Sequence, residues 1–225
     1  MNILALDTTA EDASVAVRSR GQTIAEVALH SAEGFAHLIF PAIEEALSRA
    51  GIAVQDVDCF ATTSGPGSFT GVRVGLSAVK GLAEATGKPA AGISKLKVLS
   101  SFGKNPLRAV VLDARRNEIY GAVYDSSLRA VAPETVMPFQ AWLETLREPE
   151  YEFVTTGGSP FWLALQSTRF ADTPFTETPR VLAPAVALCA EMSDWRDPAE
   201  LDANYVRRSD AELFWKDANA VVRGQ

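Results

Sequence analysis

The sequence predicts an α/β protein and, in its sharper form, one α/β lobe present twice. Three observations carry this. Short apolar runs alternate with stretches of helical periodicity over the first hundred residues. Two distant segments, "ILALDTTAEDASVAV" at 3–17 and "AVVLDARRNEIYGAV" at 109–123, share one shape: an apolar strand ending in Asp, a polar turn, then a strand ending Ala-Val. In register, Asp7 matches Asp113, Asp12 matches Glu118, and Ala16-Val17 match Ala122-Val123. Finally, 225 residues, 47% hydrophobic and 22% charged, can bury a real core in one large domain or two small ones. With so few identities, two unrelated β-hairpins remain the alternative.

The elements follow in order. Ile3 to Leu6 is a short strand ending at Asp7, and Val15–Arg18 and Thr23–Leu29 follow as strands around the turn signal Arg20-Gly21. Phe35, Leu38, Ile39, Ala42, Ile43, Ala46 and Leu47 recur at helical spacing and stop near Gly51. Asp58 to Thr62 is a strand leading into "SGPGSFTGVRVGLSAVKGLAEATGKP", residues 64–89. The helix in that stretch ends at Gly87, with Pro89 beyond as a stop signal. After residue 133 the pattern weakens. Trp142–Leu146 reads as helical, Phe153–Thr156 as a strand running into Gly157-Gly158, Thr173–Pro184 as a Pro-rich surface loop and Ala185–Met192 as a helix. The tail from about Asp202 mixes Tyr205, Phe214 and Trp215 with charges and is expected to pack back on the body.

Charge and cysteine narrow the function classes. A formal net charge of -7 argues against strong direct binding of nucleic acid by this chain alone, although a local basic patch would escape that argument. Cys59 and Cys189 lack metal-type spacing and form no disulfide framework. No apolar run approaches the roughly 20 residues a membrane span needs, and Met1 to Asp7 has no basic leader. A cytoplasmic protein is expected, with no membrane partner.

Three glycines pose the central question. Gly71, Gly75 and Gly81 fall inside a predicted helix, where each costs about 1 kcal/mol relative to Ala. On a helical wheel Gly71, Gly75, Ala78 and Leu82 share a face, with Val72, Leu76, Val79 and Ala83 beside it. Val74, Gly81 and Ala85 lie on the other flank, and only Arg73, Ser77, Lys80 and Glu84 make a polar stripe. A helix resting on one sheet needs a single apolar stripe, and this one has nearly twice that width. Either the two amphipathic helices pack on each other in one core, or they present a partner or oligomer surface. The turn before the helix, Gly65-Pro66-Gly67-Ser68, is neither a Walker loop nor a nucleophile elbow. A structural turn with Ser68 or Thr70 as helix cap is favoured over a phosphate site.

"ALDTT", "SGPGSFTGVRVGLSAVKGLA", "GISKL" (92–96), "LDARRNEIYGAVY" (112–124) and "NYVRR" (204–208) together resemble the TsaB (YeaZ) family, over most of the chain and in the right order. Residues 133–200 contribute little to the likeness. The resemblance implies a two-lobed actin/Hsp70/sugar-kinase-like fold, divided here at 1–105 and 106–225. It also implies a non-catalytic paralogue of TsaD, the enzyme that transfers a threonylcarbamoyl group to N6 of adenosine 37 in ANN-decoding tRNAs. The partners it implies are TsaD in a heterodimer, TsaE in a ternary complex, a second copy of the chain when alone, and tRNA only through TsaD.

Residue by residue, the resemblance implies a partner surface at Phe35, Leu38, Ile39 and Ala42 of the first helix and Gly71, Val72, Gly75, Leu76 and Val79 of the second. Phe35 departs from the polar residue or His common at its position. The catalytic relative's H-x-x-x-H metal pair has no counterpart in Ile93–Leu99, and His30 and His37 lie elsewhere, seven apart. No metal and no catalytic residue is therefore expected, and the older M22 glycoprotease label loses its mechanism. No cofactor is expected beyond weak nucleotide binding at a vestigial site comprising Asp7, Thr8, Thr9, Gly65, Gly67, Ser68, Asp113, Gly157 and Gly158. The favoured alternative for Asp7 is that it caps its own turn through the Thr8 and Thr9 amides. Lys95 and Arg115-Arg116 add positive charge around the cleft, able to touch tRNA or a nucleotide. The competing function is an ATP- and Mg-dependent kinase or ATPase using Asp7 and Asp113, and a metallopeptidase comes third.

Overall fold

The computed structural model describes residues 1–147, 150–157 and 160–206. The first half runs β1 (Asn2–Asp7), β2 (Asp12–Ser19), β3 (Gln22–His30), α1 (Ile39–Ala50), β4 (Cys59–Gly65), α2 (Phe69–Thr86), β5 (Ala90–Ser94) and α3 (Lys95–Ser100). The second half runs β6 (Leu107–Asp113), β7 (Glu118–Asp125), β8 (Ala130–Pro138), α4 (Phe139–Thr145), β9 (Glu152–Thr156), α5 (Phe161–Leu165), β10 (Phe175–Thr178) and α6 (Ala183–Glu191). Each half is β-β-β-α-β-α-β-α.

The sheets repeat the same wiring. The first has the order β3-β2-β1-β4-β5 and the second, read from its far edge, β8-β7-β6-β9-β10. In each the first three strands are antiparallel, and the last two run parallel to the first. Asp7 pairs with Ser14 at the end of β1, and Asp113 with Ile119 at the end of β6. The duplication is therefore real, and the chain has the two-lobed actin/Hsp70/sugar-kinase-like fold.

Strand alternation builds the layers. Ile3 and Ala5 of β1 point into a core shared with α3, α6 and the second sheet, through Leu99, Val186, Val110 and Val154. Leu4 and Leu6 point the other way, onto α1 and α2. On the outer side of the second sheet, Val111 and Phe153 meet Trp142 of α4 and Phe161 of α5. The stack is helix, sheet, helix, sheet, helix. The two central helices are exchanged: α6 packs on β1 and β2 of the first sheet, whereas α3 packs on β6 and β7 of the second.

One expectation needs correction. The stretch from Thr173 to Pro184 is not simply a surface loop: Phe175–Thr178 forms edge strand β10, Leu182 is buried, and α6 already begins at Ala183. β8, with Pro133 and Pro138, is a second strand the pattern did not show. Both lie at sheet edges, where proline's missing N–H is tolerated. In the tail, Phe214 and Trp215 lie outside the described residues.

Candidate functional site

The turns after β1 and β6, residues 66–68 and Gly157 face a cleft of about 770 Å³ between the lobes. Asp7 sits beneath it, almost wholly buried. Its Oδ1 accepts from the Thr9 amide (3.1 Å), the Thr9 hydroxyl (2.6 Å) and the Thr63 hydroxyl of β4 (2.6 Å). Its Oδ2 is buried and has no hydrogen-bond partner among the described residues. Asp7 thus caps its turn through Thr9 but not through the Thr8 amide, and it also ties β1 to β4. Thr63 carried no signal in the sequence, because its role depends on strand register.

The helix start shows what the glycines do. A Cβ on Gly67 would stand 2.6 Å from the Thr9 carbonyl oxygen, and one on Gly71 only 1.9 Å from that of Thr8. At Gly75 a Cβ would meet the hydroxyl oxygens of Thr62 at 2.6 Å and Thr8 at 2.8 Å. Real Cβ contacts do not come so close, so α2 rests on the β1–β2 turn and β4 with no room for a side chain. The Thr8 hydroxyl donates to the Gly71 carbonyl at 2.6 Å and fixes the approach. Close approach is present, and the neighbour is this chain itself: the strand turn at Gly71, and the turn with β4 at Gly75. Gly81 differs: among the described residues, a Cβ there meets nothing within 4 Å.

The same geometry bears on phosphate. Ser68 caps α2 by accepting from the Gly71 amide at 3.2 Å, its own amide donates to Thr9 O at 2.9 Å, and the Val72 amide donates to Ser68 O at 2.8 Å. These amides are engaged within the protein, and the β1–β2 turn fills the space beside them. Between the β1–β2 turn and Gly67 and Gly71, where even a Cβ would clash, there is no room for a phosphate. Across the cleft, Asp113 is exposed and accepts from the Arg115 amide at 2.7 Å, with the Arg115 guanidinium 3.6 Å from its Oδ2. Lys95 lines the cleft and is 5% exposed. Gly65 lies away from this cleft, in a second pocket, and Gly158 lies outside the described residues.

Most residues expected at the partner surface lie inside. Phe35, Ile39, Ala42, Gly71, Val72, Gly75, Leu76 and Val79 are buried within the protein's own core, and only Leu38 is partly open. A hydrophobic face on an outer helix turns toward its own sheet first, and α1 does so on β2 and β3, α2 on β4. The side left open carries Leu38 and Phe40, half exposed, on α1, and Val74, Gly81 and Ala85 on α2.

Other polar groups hold the frame. Glu134 of β8 accepts from the hydroxyls of Tyr124 (2.7 Å) and Ser94, and from the Asn204 side-chain amide at 2.6 Å. It joins both lobes and the tail, and no local sequence signal marks it. Burial, together with the Glu134 carboxylate, pushes the Tyr124 phenol well above its ordinary range. Burial drives the Cys59 thiol up to about 12, with Asp58 adding to the rise, and the Cys189 thiol up to about 11 despite the Lys97 charge. Among the described residues, no group of three His, Cys, Asp or Glu could hold a metal ion. His30 is exposed, with Nδ1 2.8 Å from Asp12 Oδ1. No helix among the described residues is long and apolar enough to cross a membrane.

Comparison with known proteins agrees with this architecture. A family model described as TsaD, tRNA N6-adenosine threonylcarbamoyltransferase, matches residues 24–178. The tRNA threonylcarbamoyladenosine biosynthesis protein TsaB of Escherichia coli is 33% identical over 70% of this chain and 71% of its own length. The chain belongs to the TsaB (YeaZ) family. The Bacillus subtilis TsaB is 27% identical and aligns end to end, over 96% of this chain and 98% of its own. Among solved structures, YeaZ from Pseudomonas aeruginosa superposes with a TM-score of 0.72 at 24% identity, covering 91% of this chain and 99% of its own, a likeness of fold.

Proposed function

We propose that this protein is a non-catalytic subunit of tRNA threonylcarbamoyladenosine biosynthesis in the cytoplasm. It docks onto a TsaD-type transferase and activates it for adenosine 37 of ANN-decoding tRNAs, with TsaE as third member, and pairs with itself when alone. The observation that carries this reading is the alignment with proteins named for that biosynthesis, over 96% of this chain in one case and 70% in another.

The docking face we assign is the outer side of α1 and α2, with Phe40 half exposed, Val74 half buried and Gly81 open to close approach. Aromatic and small apolar residues left partly or wholly open are what a helical partner would bury. Reconstitution tests this directly. The purified chain mixed with a TsaD-type transferase is expected to co-elute with it and to raise threonylcarbamoyladenosine formation on unmodified tRNA. Separate elution with unchanged formation would contradict the reading.

A further inference from the structure

Three of the motifs that mark this chain meet away from the docking face. The Ser64–Phe69 turn, the Ala114–Tyr120 turn of the second lobe, and Asn204 to Val206 of the tail wall one pocket of about 370 Å³. The tail is held there by specific contacts. The Asn204 amide donates to Ser64 O at 2.7 Å, and a Cβ on Gly65 would lie 3.0 Å from Asn204 O, so the tail crosses directly over the turn. Glu134 grips the Asn204 side chain from the other lobe. In the opposite wall Arg115, Arg116 and Asn117 all have left-handed φ of 56° to 65°. Such backbone costs roughly 1 kcal/mol or more per non-glycine residue, and here it displays two consecutive arginines at the rim.

The lining chemistry is specific. Phe69, Tyr120 and Tyr205 contribute rings, and Phe69 and Tyr205 are 57% and 47% exposed. Arg73, which is not in the lining, stacks 3.2 Å over the Phe69 ring and 5.6 Å from that of Tyr205, backing both. The Arg115 side chain is 87% exposed and its surface pair with Asp113 is long, a contact worth at most about 1 kcal/mol. Rings for a flat aromatic group beside cations for an anion match a nucleotide. The net charge of -7 does not oppose this, because the arginines are local.

We propose that this pocket takes one nucleotide of a single-stranded RNA segment, its base against Phe69 and Tyr205 and its phosphates at Arg115 and Arg116. The choice of RNA over a free nucleotide rests on the proposed function; the pocket itself does not. The protein would then touch its tRNA directly rather than only through a partner.

The test uses the full chain alone, with a labelled unmodified anticodon stem-loop RNA followed by fluorescence anisotropy at low salt. Tyr205→Ala and Phe69→Ala are each expected to weaken binding about tenfold, within the range of one lost stacking contact. Arg115→Glu with Arg116→Glu is expected to weaken it further and to flatten the salt dependence by about 0.7 per lost phosphate contact. Arg129→Glu, on the far turn, is expected to leave binding unchanged. No binding by the unaltered chain, or equal binding by all variants, overturns the proposal. So does AMP competing as well as the RNA, which would mark a free-nucleotide site. Loss of transferase binding with RNA binding intact would mark a protein contact and overturn it too. Because no transferase is present in the main measurement, its failure leaves the proposed function standing, and the reconstitution assay judges that separately.

Discussion

Gly71 and Thr8 interlock: the Thr8 hydroxyl donates to the Gly71 carbonyl at 2.6 Å, and a Cβ on Gly71 would fall 1.9 Å from the Thr8 carbonyl oxygen. The obstructing atom is backbone at the end of a buried strand, so it cannot swing aside. Gly71→Ala is expected to lower the unfolding free energy by about 3 kcal/mol, at the upper end for overpacking. Gly81→Ala is expected to raise it by about 0.5–1 kcal/mol, because the site is open and alanine favours helix. Urea unfolding of the two variants checks both signs.

Asp7 holds three donors on one oxygen. Asp7→Ala would strand the Thr9 and Thr63 hydroxyls in the interior, and unmet buried groups cost about 1–3 kcal/mol each. A loss of about 3 kcal/mol is expected in the same unfolding assay. Any drop in activity of an Asp7 variant must therefore be read beside its stability.

Glu152 gives the acid side of stability a defined sign. Burial opposes its charged form. The Thr176 hydroxyl (2.6 Å), the amides of Asn105 (2.7 Å) and Lys104 (2.5 Å) and the Arg108 charge outweigh that and hold its carboxyl below the ordinary value. A depressed carboxylate contributes stability that is present above its unfolded pKa and lost as pH falls through the folded one. Glu152→Gln is expected to be less stable at neutral pH and to lose less on acidification below about pH 4.5, the ordinary glutamate range. Unfolding curves across that window measure the difference in slope.

Both thiols are buried and raised, Cys59 to about 12 and Cys189 to about 11. The thiolate is the reactive form, so at about pH 8 neither should alkylate with iodoacetamide in the folded protein. Both should react in denaturant, as counted by intact mass.

The sequence made much of this legible. The match of Asp7 with Asp113 announced the duplicated wiring, and helical spacing located α1 and α2. What periodicity could not say was which body lies against a face. It reported that Gly71 and Gly75 meet something close, but the identity of that neighbour depends on how the β1–β2 turn folds over α2. Glu134 and Thr63 were invisible for the same reason, since their partners are set by strand register across long separations. Strands β8 and β10 were hidden by prolines that read as loop and are tolerated at sheet edges.

The buried glycines also change how the docking face is probed. Gly75→Arg would drive a side chain into Thr8 and Thr62, so lost partner binding would only report misfolding. Phe40→Asp and Gly81→Arg instead act on exposed positions of the outer helices and are expected to leave the unfolding transition within about 1 kcal/mol of the unaltered protein.

The central claim is that the outer face of α1 and α2 engages the catalytic partner. The most direct measurement is the threonylcarbamoyladenosine content of tRNA, by nucleoside mass spectrometry, in cells whose only copy carries Phe40→Asp with Gly81→Arg. The expected result is a fall to the level of cells depleted of the protein, with the variant present at normal abundance. Unchanged threonylcarbamoyladenosine in those cells would contradict the account.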